Sequence, residues 1–552
     1  MTQGLQWSLN VWPLLTVLIA LLIALPILVV LGSVFTNRLE LWRHLIATVL
    51  LRYLLNSCLL SLGVSVGVLL IGISTAWLVT LCQFPGHRIY EWALLLPLAT
   101  PAYLLAYTYT DWLEYYGPIQ TQLRDWFGWQ TVQDYWFPEI RSLWGAILLL
   151  SLTLYPYVYL LARVAFLEQS ICTLEASRNL GCNPWQSFWD IALPLARPAI
   201  TAGWALALME TLNDFGTVQY FGVDTFTTGI YRTWFGMGEP TVAAQLSALL
   251  LTLILGLIVV ERWARRRTRY YQRQTHLQAI QPYRLRGWRS LGAQLACSLP
   301  ILLGIVVPGG ILAQMAWINW QETVSAQFWQ LSQHSLMLAS ITALLGLVLA
   351  LLLAYGVRLQ PSRLVAASVR LAAMGYAIPG TVVAVGLLIP LGTVDNALSE
   401  SAQAVWGRTT GLFLSGTAIA LIAAYLIRFL AVALSTVESS LVRVTPSLDE
   451  AARSLGATPT DTLIRIHVPL LKGGLLTAIV LVFVDVMKEL PATLILRPFN
   501  FDTLAIRVYQ YASDERLAAA SAPALSILLV GLIPVMILSR QIAAARDVHS
   551  HS

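Results

Sequence analysis

About twelve stretches of roughly 20 apolar residues run through the chain, and each is long enough to cross a bilayer as a helix. In the first half they are Trp12–Phe35, Leu55–Leu81, Trp92–Thr110, Leu143–Arg163, Pro198–Tyr220 and Thr241–Trp263. In the second half they are Ala293–Ile318, Ser335–Val357, Leu364–Leu391, Thr410–Leu434, Gly474–Leu496 and Ser521–Leu538. Hydrocarbon supplies no hydrogen-bond partners, so a single apolar run of this length must satisfy its own backbone as a helix. The fold class is therefore all-α and polytopic. Composition agrees: 11% of the 552 residues are charged, against roughly 25% in soluble domains.

Arginine placement orients the spans, because Lys and Arg collect on the cytoplasmic side. The segment Glu261–Ser290 carries Arg262, Arg265, Arg266, Arg267, Arg269, Arg273, Arg284, Arg286 and Arg289. Placing it in the cytoplasm puts both termini there too. The outward loops then carry more acid, as in Asp111–Arg141 with Asp111, Glu114, Asp125, Asp134 and Glu139. The division is 1–263 as a first half, 264–292 as an Arg-rich cytoplasmic linker, and 293–552 as a second half. The net charge of +6 belongs to these loops and is no nucleic-acid signal. The five cysteines form no CxxC pair, which suggests neither disulfide framework nor metal cluster. The first apolar run follows no basic region and is too long for a cleaved signal peptide, so it reads as a retained span.

The halves repeat each other. At a spacing of 275, Glu175 meets Glu450, Ala176 meets Ala451, Gly181 meets Gly456 and Pro184 meets Pro459. In each copy a Gly suits the left-handed end of one helix, and Asn183 or Thr458 with the following Pro suits the start of the next. Asn56–Ser57 pairs with His334–Ser335, and Pro101 pairs with Pro379 at 278. Thr228 and Arg232 pair with Thr503 and Arg507 at 275. Six spans is an even number, so the repeats are parallel, related by an axis along the membrane normal, with a path expected between them.

The two copies read EASRNLGCNP…IALPL and EAARSLGATP…IHVPL. They resemble the EAA loop of ABC-importer permeases. The second fits fully, and the first has Ser177 where the motif has Ala. The resemblance covers essentially the whole chain as two fused permease halves, with the loops near 164–197 and 435–472. It implies a type I importer architecture in a bacterial inner membrane. It also implies loops docked on a cytoplasmic ATPase dimer, with Glu175, Ala176, Gly181, Pro184, Glu450, Ala451, Gly456 and Pro459 at the contact, and an extracytoplasmic binding protein. The segment Glu210–Pro240 looks like that of ferric-iron permeases; fused thiamine permeases are the nearest competitors. The chain has no GxxxxGK[ST] loop, so ATP would be used by a partner. No catalytic constellation stands out, and no cofactor is expected on this chain.

Ionisable residues at membrane depth are costly and point to function. Glu210 and Asp214 share a helix face, and they correspond to Asp485 and Glu489 at 275. One reading makes these four a cation path, since hard cations prefer oxygen ligands. Ferric iron would then touch them only transiently. The other is polar helix packing, with Lys488 neutralising one acid. The tyrosines Tyr103, Tyr107, Tyr109, Tyr115 and Tyr116 read first as an interfacial aromatic belt. His44, His87, His276, His334 and His467 fit no ligand spacing. A secondary transporter driven by an ion gradient is the competing class; the duplicated loop argues against it.

Overall fold

The computed structural model describes residues 11–168, 181, 183–266, 283–360, 362–408, 411–442 and 444–550. Among these residues ten helices are long and apolar enough to cross a membrane, and up to twelve if each of two bent pairs is one span. This is the polytopic all-α architecture expected from the apolar runs.

The chain folds into two compact units. One comprises Met1–Arg38, Thr233–Ala248 and Trp329–Ile506. Its core is spans eight to eleven, and the first span packs onto them. A Cβ at Gly356 would stand 2.4 Å from Thr16 Oγ1, and one at Gly386 would stand 2.5 Å from the Pro26 carbonyl oxygen. Glycine at these places lets helix backbones approach where lipid gives no hydrophobic drive. Trp12 meets Tyr355 edge-on at 5.4 Å. Gln245 of the sixth span donates to the carbonyls of Ser33 and Thr36 at 2.9 and 2.8 Å.

The other unit comprises Leu39–Arg232, Leu249–Phe328 and Arg507–Ser552. Here a glycine stripe on the second span packs against the fourth: Gly63 on Ile147, Gly67 on Ser151 and Gly72 on Val158. The seventh span joins this unit through Tyr90 Oη to Ser298 Oγ (2.7 Å) and the Tyr109 hydroxyl donating to the Leu303 carbonyl (2.6 Å). Each compact unit therefore draws its central spans from one half of the sequence and takes the first span of the other half.

Several expected spans are interrupted. The third is two helices, His87–Ala99 and Ala102–Phe127, bent by 88°. Pro101 has no N–H to continue the helix, and it holds Thr100 before it in an extended conformation. The ninth breaks likewise at Pro379, so its long apolar helix is Gly380–Trp406 and not Leu364–Leu391. Pro101 and Pro379 adopt nearly the same backbone angles, φ −59°, ψ 139° and φ −56°, ψ 140°. The fifth helix stops at Asn213, and Gly216–Tyr220 is a separate short helix. The eleventh stops at Met487 and restarts as Pro491–Leu496. The tenth is Ala418–Leu441.

The spacing of the repeat also needs correction. Asn56 Nδ2 donates to the Asp224 carbonyl at 2.9 Å, and His334 Nδ1 lies 3.1 Å from the Asp502 carbonyl. Ser57 Oγ accepts from Phe226 N–H (3.3 Å), and Ser335 Oγ accepts from Leu504 N–H (2.9 Å). The structural partners are thus Asp224 with Asp502 and Thr225 with Thr503, at 278. Thr228 and Arg232 do not correspond to Thr503 and Arg507. Three extra residues in the second half, between Glu489 and Asp502, shift the register.

Candidate functional site

The duplicated loop is seen best in its second copy. The helix Pro446–Ser454 ends at Gly456, whose φ of +79° is left-handed. Gly456 N–H donates to Arg453 O and Ala457 N–H to Ala452 O, both at 3.0 Å. This double bond pattern closes a helix C-terminus, and it favours Gly because a Cβ there is strained. Thr458 then caps the next helix, accepting from Asp461 N–H at 3.1 Å, with Pro459 in its first turn. Glu450 and Ala451 are exposed, and Leu455 is 88% exposed. In the first copy Gly181 has φ +83°. Gln186 N–H donates to Asn183 Oδ1 at 2.8 Å, and Pro184 begins the next helix. Glu175 and Ala176 lie outside the described residues.

Each loop is held to its unit by a different chemistry. In the second copy Asp449 accepts from Arg358 Nε at 2.7 Å and lies 2.6 Å from His467 Nε2. Arg358 also donates to the carbonyls of Leu441 and Val444, both at 2.9 Å, and the Tyr355 hydroxyl donates to Pro459 O at 3.0 Å. At the place equivalent to Tyr355 the first half has Trp77. Its ring meets Phe188 at 4.8 Å and Phe166 at 5.7 Å. Trp185 and Trp189, beside Phe188, are exposed.

The four membrane-depth acids occupy the turns where the fifth and eleventh helices stop. In one unit Asp214 accepts from Val218 N–H (3.1 Å) and Thr217 Oγ1 (3.0 Å), tying the end of one helix to the start of the next. Asn213 Nδ2 lies 3.4 Å from Glu210 Oε2. Among the described residues no cation stands within ion-pair distance of Asp214. In the other unit Glu489 is 1% exposed at its side chain and accepts from Arg428 Nη1 at 2.9 Å. It also accepts from Ala492 N–H (2.9 Å), Thr493 N–H (3.1 Å) and Thr493 Oγ1 (2.6 Å). Lys488 Nζ sits 2.9 Å from Asp485 Oδ1. A Cβ at Gly380, the first residue of the ninth helix, would stand 2.7 Å from both Arg428 Nη1 and Glu489 Oε1. Among the described residues no group of three or more His, Cys, Asp or Glu is placed to hold a metal ion.

The tyrosines are not a belt. Tyr103, Tyr107 and Tyr109 are buried inside their unit, and Tyr107 packs edge-on against Tyr220 at 4.6 Å. Tyr116 alone of the five is a large exposed ring, while Tyr115 lies under the Arg124 guanidinium at 4.0 Å. Sequence reading missed Arg428, Asp449 and Arg358. Arg428 sits alone in an apolar run, which is itself a signal; Asp449 lies within the loop and Arg358 packs against it, with no local pattern to mark either.

The family model described as "Binding-protein-dependent transport system inner membrane component" matches twice, over residues 11–270 and 298–546. The chain is 27% identical over 494 residues to the Fe(3+)-transport system permease protein FbpB 2 of Haemophilus influenzae, covering 88% of this chain and 89% of that one. It is 30% identical over 204 residues to the molybdenum transport system permease protein ModB of Escherichia coli, covering 36% of this chain and 86% of that one. It is 26% identical over 237 residues to the putative 2-aminoethylphosphonate transport system permease protein PhnU of Salmonella choleraesuis, covering 42% and 81%.

Proposed function

Because the chain belongs to the family of binding-protein-dependent transport system inner membrane components, we propose that it is the whole membrane pore of an ATP-driven ferric-iron importer. The observation that carries the solute is length. The FbpB 2 match runs through both halves, whereas the ModB and PhnU matches cover 36% and 42% of the chain. Hydrolysis belongs to a separate ATPase dimer, and delivery to an extracytoplasmic binding protein. Both termini and both duplicated loops face the cytoplasm in this reading.

Glu175, Ala176, Gly181 and Pro184, with Glu450, Ala451, Gly456 and Pro459, form the two surfaces on which the ATPase pulls. The exposed Leu455, at the turn of a rigidly capped helix pair, supports this. ATP closure would shift the two halves between inward- and outward-open states. Glu210, Asp214, Asp485 and Glu489 enter the path unequally. Asp485 and Glu489 each have a cation beside them, so Asp214 is the acid best placed to receive a cation in transit.

The test is uptake of labelled ferric iron by vesicles holding this chain, its ATPase and its binding protein. Iron should accumulate only with ATP and binding protein. Accumulation of molybdate, a phosphonate or thiamine in place of iron would overturn the solute. Iron transport by the chain alone, driven by a proton gradient, would overturn the class.

A further inference from the structure

A basic pocket lies outside everything described so far, on the unit that holds spans two to five. Its geometry starts from a short parallel pairing. Cys82–Gln83, where the second span ends, pairs with Tyr283–Arg284, just before the seventh span begins, and Leu285 N–H continues the pairing by donating to Gln83 O at 3.0 Å. The pairing fixes Arg284 and Arg286 beside the turn Phe84–Arg88. Together these segments line an open surface pocket of about 750 Å³ that includes His87, Arg88, Arg284 and Arg286. No carboxylate among the described residues lines it. Among the described residues none of the three arginines has an acid within ion-pair distance. Glu91, the acid on the same short helix as Arg88, is buried 3.7 Å from Arg163.

Depth decides what such a pocket meets. Both of its segments sit at the ends of apolar spans, where the headgroup layer is expected. Trp288 is 86% exposed and opens the seventh span, and Ile89, which lines the pocket, is also exposed. Exposed tryptophan at a span end marks the membrane–water interface. Three clustered arginines there, with no acid paired to them among the described residues, match the phosphate groups of anionic lipid. We propose that this pocket binds the phosphodiester headgroup of an anionic phospholipid and so fixes the linker-to-span junction at the membrane surface. The proposal does not depend on the transported solute.

The full chain with its ATPase partner is the object to test, as wild type and as R88Q/R284Q/R286Q, in phosphatidylcholine nanodiscs with a minor fraction of cardiolipin. Native mass spectrometry after detergent extraction counts the lipid that stays bound. Wild type should retain cardiolipin over phosphatidylcholine, and the triple variant should bind it roughly a hundredfold more weakly. R286Q alone, an exposed change outside any helix, should show part of that loss with folding intact. R363Q/R370Q, exposed arginines of the other unit, should retain cardiolipin as wild type does. Equal retention by wild type and triple variant would sink the proposal, as would equal loss from R363Q/R370Q, which would mean diffuse surface charge. If inorganic phosphate stabilises the wild type against heating as well as cardiolipin does, the site serves a free anion and the lipid assignment falls. If the triple variant keeps its lipid but loses the ATPase on co-purification, the pocket is a protein contact.

Discussion

The fifth and eleventh spans end on equivalent turns, each built on one acid, yet the two acids live in different electrostatic settings. Glu489 is buried with Arg428 and three further hydrogen-bond donors. Asp214 has two such donors from its own turn. Position 428 on the tenth span corresponds to Thr153 on the fourth, whose hydroxyl merely donates back to its own helix at Leu150 O and Leu149 O. Position 380 follows the same division. The half with the ion pair has Gly, because a Cβ would strike both charged groups; the half without it has Ala102. A duplicated scaffold has kept the cap and separated the charge. One copy has become a structural knot, and the other has an acid held only by its own turn.

Breaking the knot is the strongest way to break this comparison. Arg428→Ala leaves Glu489 buried without its cation, which should cost about 3–5 kcal/mol. Thermal unfolding of the purified chain measures it. Arg428→Met with Glu489→Gln should be far milder, since both charges leave together. If the single and double variants unfold alike, the pair is not what holds this turn. Gly380→Ala should cost about 1–3 kcal/mol by overpacking. Asp214→Asn sharpens the other side. The turn should survive to within about 1 kcal/mol, because the amide still accepts one bond, while ferric uptake should fall severalfold. An unfolding temperature that drops as far as with Arg428→Ala would make Asp214 a second knot.

The duplicated loops repeat the lesson at the other end of the molecule. The second is latched by Arg358, Asp449 and His467, whereas the first half has Trp77 in the place of Tyr355, packed on Phe166 and Phe188. Asp449→Asn removes the charge from both contacts while keeping the shape. It should cost about 1.5–3 kcal/mol, the worth of a hydrogen bond to a charged group. It should also weaken stimulation of the ATPase by loaded binding protein more than it weakens ATPase binding. Full stimulation in that variant would show that the latch carries no motion.

Much of this was legible in the sequence because it rests on local chemistry. Apolar length gave the spans, and Gly–x–Asn/Thr–Pro gave the turn at Gly181 and Gly456, where the backbone is left-handed. The breaks at Pro101 and Pro379 were misread as continuous helix, because an apolar run hides a proline kink that neighbouring helices tolerate. The exchange of first spans between units was hidden for another reason. It is set by which glycine-faced helices meet, as Gly356 and Gly386 meet the first span, and no periodicity within one helix records its partner. The register shift of three residues was masked because Thr and Arg recur near both Asp224 and Asp502. The Arg428–Glu489 pair spans 61 residues, beyond any local pattern.

The smallest expected effect concerns two aspartates that organise neighbouring segments by the same device. Asp395 is buried and accepts from the N–H groups of Phe413, Leu414 and Ser415 at 3.1, 2.8 and 2.8 Å. Asp134 is exposed and accepts from Thr131 N–H and Gln130 N–H at 2.7 and 2.8 Å. Asp395→Ala strands three donors and should cost several times what Asp134→Ala does, since unmade bonds are costly only where water cannot replace them. For Asp134, the N–H groups of Thr131 and then Gln130 hold the carboxyl below the ordinary carboxylate value. A folded value below the unfolded one means the turn is favoured above the unfolded value. That support is lost as pH falls through the folded value. Protection of residues 130–134 against hydrogen exchange, relative to their intrinsic rates, should therefore fall as the solution is acidified through the carboxylate range, and in Asp134→Asn it should be low and independent of pH. An acid-induced change that persists unaltered in the Asn variant would assign the titration to another group.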